Sequence, residues 1–141
     1  MSLQHRRIQK TLEAHSHTCG TNLNEKLGTK FEIQLDWSCL PEDISRWNWE
    51  LKDLESLLYH SYYRPIESGL GELFTDELYR EAILEQVKRI AVVPGGDVAS
   101  FDFADGVLTM KHTMGVNQRD GGGFFDSVVR RLKDTVLKHL S

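Results

Sequence analysis

The chain has 141 residues, 40% of them hydrophobic and 27% charged, with a formal net charge of −4. That length fits a single domain, 1–141, which buries about two-thirds of its unfolded surface and needs no metal or disulfide to hold it. Three prolines and eleven glycines exclude a collagenous or linker-like chain, and no apolar run reaches the ~18 residues that a membrane span requires.

The first expected element is a helix from about Gln4 to Ser16, running on to Leu27 or broken at Gly20. Ile8, Leu12, His15, Cys19, Leu23 and Leu27 recur at steps of three and four, which is one helical face. Gly20 costs about 1 kcal/mol against Ala in a helix interior. Gly28 is placed where the residue past a helix end needs a positive φ. Residues 30–37 then change period. Lys30, Glu32, Gln34 and Asp36 alternate with Phe31, Ile33, Leu35 and Trp37, as in a strand with one wet and one buried face.

A long helix is expected over about 41–62, opened by Pro41, Glu42 and Asp43. Leu40, Ile44, Trp47, Leu51, Leu54 and Leu58 form its apolar seam. Arg64-Pro65 should end it, because a residue before proline avoids the α region. Ser68-Gly69-Leu70-Gly71 reads as a connection. A further helix is expected over about 75–89, capped by Thr75, with Leu78, Ala82, Ile83, Val87 and Ile90 inward. Ile90–Val93 reads as a short strand or the last turn of that helix.

Residues 98–103 and 107–114 read as a hairpin around Ala104-Asp105-Gly106, since Asp-Gly between alternating segments is a strong hairpin signal. A glycine-rich loop, 115–123, precedes a last helix from Phe124 to Leu140. The expected fold is α+β: a small antiparallel sheet of three or four strands with helices packed on one face, in the order α-β-α-α-(β)-β-β-α.

The charge is uneven. Residues 1–30 carry five Lys or Arg against two Asp or Glu, and residues 31–90 carry six against thirteen. With no basic stripe to neutralise phosphates, nucleic acid is not an expected partner, and no membrane is expected either. Residues 1–7 show no apolar signal core, so a cytoplasmic location is expected. Cys19 and Cys39 read as free buried thiols.

His15, His17 and Cys19 are metal-ligand types, but their spacing does not bring a ligand set to one helical face. No metal and no cofactor is expected. The 115–123 loop lacks the Gly-Lys-Ser/Thr of a phosphate loop, and Asp120 would repel an anion, so no anion site is expected. His112 falls on an apolar strand face and reads as a hydrogen-bonded core residue. Trp47, Trp49, Tyr62, Tyr63 and Arg64 are the types enriched at binding hot spots. The functional expectation is a non-catalytic protein-interaction or regulatory module using the acidic, aromatic helix 41–63, with a protein partner or a second copy as a homodimer. The alternative is a small enzyme or ligand-binding domain with a pocket near His112 and the 115–123 loop.

Overall fold

The computed structural model describes residues 3–36, 53–95, 99–112 and 123–140. The start of the helix expected at 41–62, with Trp37, Trp47 and Trp49, lies outside them, as does nearly all of the glycine loop.

Helix α1 is unbroken from Leu3 to Leu27. Its inward stripe is the one the spacing marks, with Ile8, Leu12, Cys19 and Leu23 buried. It ends in a Schellman turn: Gly28 has φ 65°, Gly28 N–H donates to Glu25 O and Thr29 N–H to Asn24 O. Gly20 leaves the helix intact. A Cβ there would meet Ile33 Cδ1 at 3.6 Å, an ordinary contact. Gly20→Ala should therefore raise stability by up to about 1 kcal/mol in urea denaturation. A loss would mean that the backbone there must approach its neighbour more closely than an alanine allows.

Strand β1 covers Glu32–Leu35. Phe31 and Leu35 are buried and Ile33 partly so, while Lys30, Glu32, Gln34 and Asp36 are exposed. Helix α2 then runs on without a break through three stretches: Leu54–Leu58, a π-helical turn at Tyr59–Tyr63, and Arg64–Leu73. The expected stop at Arg64-Pro65 is therefore corrected, and Ser68–Gly71 is helix rather than connection. The π turn, closed by Arg64 N–H to Tyr59 O, resets the register so that Pro65 falls in the first turn of the last stretch, where its missing N–H is tolerated.

Helix α3 spans Glu77–Gln86. Its cap is Asp76, not Thr75: the Asp76 carboxylate accepts from Leu78 N–H at 2.9 Å and Tyr79 N–H at 3.2 Å. Thr75 instead closes the end of α2, donating to Glu72 O. Leu78, expected inward, is 76% exposed, whereas Ile83 and Val87 are buried. Ile90–Val93 is strand, within β2 at Arg89–Pro94. Strands β3, Ser100–Ala104, and β4, Val107–His112, form the expected hairpin. Asp105 and Gly106 both have positive φ, the type I′ turn that suits the strand twist. Helix α4 spans Gly123–His139, with Val128, Val129, Leu132 and Val136 buried.

These elements make an α+β fold in the expected order, around a sheet ordered β1-β2-β4-β3. The sheet is mixed rather than antiparallel. β1 pairs β2 and β2 pairs β4 in parallel, and only the hairpin β3–β4 is antiparallel. An open face shows that a sheet is covered on one side; strand direction is set by connections. The long crossover between β1 and β2, which contains α2 and α3, is what a parallel pair needs. Ile90, Val92, Leu108, Met110 and His112 are buried on the face that meets the helices, while Arg89, Ala91, Val93, Thr109 and Lys111 look the other way and are not.

Candidate functional site

The aromatic end of helix α2 turns inward. Tyr62 and Tyr63 are both fully buried, one on each side of the helix. Tyr62 donates to the backbone oxygen of His112 at 2.8 Å. Tyr63 shares a 2.6 Å hydrogen bond with Ser16 of α1, and burial pushes its phenol up to about 12. The Arg64 guanidinium lies 4.3 Å over the Phe125 ring of α4. Within the chain these three join α2 to the sheet, to α1 and to α4. Neighbours at 62 and 63 can both be buried because α2 is flanked on two sides.

His112 is likewise structural. Its Nε2 lies 2.7 Å from the Ser61 carbonyl, which accepts only, so Nε2 carries the proton. An α-helix would aim the N–H of residue 65 at that carbonyl, and Pro65 has none. His112 supplies the donor from across the core, with its ring tilted against that of Tyr62 at 4.8 Å.

Cys19 is a packing group. Burial first, then the charges of Glu55 and Glu67, push its thiol up to about 11, far from the lowered values of reactive thiols. His15 faces Glu55 at 3.7 Å. Among the described residues no group of three His, Cys, Asp or Glu side chains comes together to hold a metal. A polar seam ties α1 to α2: Tyr59 donates to Glu67 at 2.8 Å, and Lys26 reaches both. The Glu67 hydrogen bond and charge raise the Lys26 value.

Among the described residues, the outer edge of β1 is open. No described strand pairs with it. Asp36 N–H donates inward to Val92 O, so alternation turns the even-numbered backbone groups of β1 toward β2 and the odd-numbered ones outward. Phe31 bears this out. Its N–H donates to Asn24 Oδ1 at 2.9 Å, and its carbonyl accepts from Asn24 Nδ2 at 3.0 Å. The Asn24 amide thus fills one position of the edge with a side chain, and Thr29 Oγ1 braces it at 2.7 Å. The backbone groups of Ile33 and Leu35 come next on that edge.

These groups border a groove of about 370 Å³ between β1 and α1, walled by Ser16, His17, Gly20 and Thr21 on one side and Ile33 and Leu35 on the other. The two elements run antiparallel along it. Asn24 stands at Phe31 and Gly20 at Ile33, and Glu13 lines the groove further toward the α1 N-terminus. The small side chains at Ser16 and Gly20 keep it open. Sequence spacing did not single out Asn24 or this edge; the available signal was charge at Lys30, Glu32 and Asp36 within a strand, a mark of edges.

No family model, curated protein or solved structure matches the chain. No helix among the described residues is long and apolar enough to cross a membrane.

Proposed function

We propose that the chain is a non-catalytic protein-interaction module that receives its partner at the open edge of β1, in the groove against α1. One observation carries this reading: Ile33 and Leu35 present four backbone hydrogen-bonding groups along an edge that Asn24 already fills at Phe31. Each hydrogen bond is worth about 0.5–1.5 kcal/mol net, and adding a strand to such an edge is a recurrent mode of protein recognition. The engagement of His112, Tyr62 and Tyr63 in packing supports a non-catalytic role. The described half of helix 41–63 is largely covered by its own chain, which moves the proposed surface from that helix to β1. The partner is a protein strand or a second copy of this chain, and the setting is cytoplasmic, which suits a buried reduced thiol at Cys19.

The test is a random-peptide selection on protein immobilised at low density, repeated on Thr21→Trp, which fills the groove from an exposed position. Selected peptides should shift the backbone amides of Ile33 and Leu35 in NMR titration and lose binding to Thr21→Trp. Failure to enrich, or equal binding to both proteins, overturns the reading.

A further inference from the structure

A second recess, of about 350 Å³, lies where the turn after α1 meets the junction of α3 with β2. Residues 28–31 form one wall, and Leu84, Val87 and Lys88 form the other. The sheet register brings the walls together: Glu32 pairs with Arg89, so Phe31 stands across from Lys88. Phe31 and Val87 are buried and Leu84 is half-buried, which gives the recess an apolar floor.

Three cations stand around that floor. Lys30 and Lys88 line it and are exposed. Arg80 reaches it from α3: its Nη2 lies 3.9 Å from where a Cβ would stand on Gly28, and its guanidinium is 5.7 Å over the Phe74 ring. The Lys88 stem runs past Gly106, with Cγ 3.4 Å from where a Cβ would stand there, so the hairpin turn supports it. Among the described residues no carboxylate lines the recess, and none of the three cations is held in an ion pair. Glu77 precedes Arg80 by three residues on α3, a spacing at which such side chains can pair, yet no pair forms. Lys26, Arg89 and Lys133, by contrast, are each bridged to a glutamate.

Cations gathered without a counter-charge repel one another, and an anion among them is attracted by all three. Lysine supplies point charges and arginine a planar fork, and both suit carboxylate or phosphate oxygens. The floor and the lysine stems offer apolar surface to whatever carries that group. The recess is at the low end of the ~300–1,000 Å³ typical of small-molecule sites, so the carrier is small.

We infer that this recess binds a small organic anion, with a carboxylate or phosphate group held by Lys30, Arg80 and Lys88 and a compact apolar body lying against Leu84 and Phe31. It shares only Phe31 with the β1–α1 groove, and it stands or falls apart from the proposed interaction role.

The probes are 2-naphthoate, 2-naphthyl phosphate, the neutral 2-naphthalenemethanol and inorganic phosphate. Each is titrated into the full chain while the Gly28, Lys30 and Lys88 amides are followed by NMR. The naphthalene anions should shift these amides and bind at least about tenfold more tightly than either the neutral alcohol or inorganic phosphate. Their order assigns the anionic group: tighter naphthoate supports a carboxylate ligand, tighter naphthyl phosphate a phosphate ester. Lys30→Ala/Lys88→Ala, checked for an unchanged melting temperature, should weaken both anions at least about tenfold. Lys10→Ala/Lys138→Ala removes the same charge from exposed positions outside the recess and should change binding by no more than about twofold, because distant exposed charges are screened. Equal losses in the two lysine pairs overturn the inference. So do a neutral alcohol or inorganic phosphate that binds as tightly as the naphthalene anions, shifts confined to other amides, or no saturable shift with either anion.

Discussion

Replacing His112 by Ala is expected to destabilise the chain by about 3–5 kcal/mol. Two losses combine. Truncating a buried ring leaves a cavity beside Tyr62, and large-to-small core changes cost about 2–5 kcal/mol. The Ser61 carbonyl also loses its hydrogen bond from Nε2–H, and a hydrogen bond of this kind is worth about 0.5–1.5 kcal/mol net. The second loss has its own signature, because the need for that donor arises from Pro65. In a Pro65→Ala background residue 65 regains an N–H, so His112→Ala should cost about 1 kcal/mol less there than in the native chain. Urea denaturation of the four proteins in the cycle measures this. Equal losses in both backgrounds would show that the carbonyl does not depend on the histidine.

The same pair shows where sequence reading stops. Arg64-Pro65 signals a helix end because local sterics disfavour continuation. The helix continues because the π turn shifts the register and because a donor arrives from β4, some 50 residues along the chain. No local pattern carries that information. Periodic signals fared otherwise. The stripe Ile8–Leu12–Cys19–Leu23, the alternation at 31–35 and the Asp105-Gly106 turn each follow from local side-chain and backbone preferences within one element, and each was legible. Strand direction was not, since β1 reads the same whether its neighbour runs parallel or antiparallel. Nor was the inward turn of Tyr62 and Tyr63, which depends on α2 being covered from two sides at once. The candidate site was the least legible part. His112 was correctly read as a core residue, but the groove depends on Asn24 reaching across a turn to Phe31 and on β1 standing at an edge, and both are products of assembly.

Gly69→Val is expected to cost about 1–3 kcal/mol, the usual range for forcing extra atoms into a packed core. Glycine inside a helix is a local penalty of about 1 kcal/mol against Ala, so its presence in α2 calls for a steric reason. That reason is the approach of α4. A Cβ at residue 69 would stand 2.7 Å from Leu132 Cδ2, with the Val129 backbone oxygen behind it at 3.7 Å. Leu132 is fully buried, so it has no open space to retreat into. Two residues on, Gly71 is different: a Cβ there meets only Leu27, at 3.8 Å. Gly71→Ala should therefore stabilise slightly while Gly69→Val destabilises, although both act on the same helix. The clash also predicts coupling. Leu132→Ala alone should cost about 2–5 kcal/mol through its cavity. In the Gly69→Val/Leu132→Ala double variant the added methyls occupy part of the vacated space, so the total should fall short of the summed losses by about 1 kcal/mol or more. Strict additivity, or a neutral Gly69→Val, would show that α2 and α4 do not meet as closely as residue 69 requires.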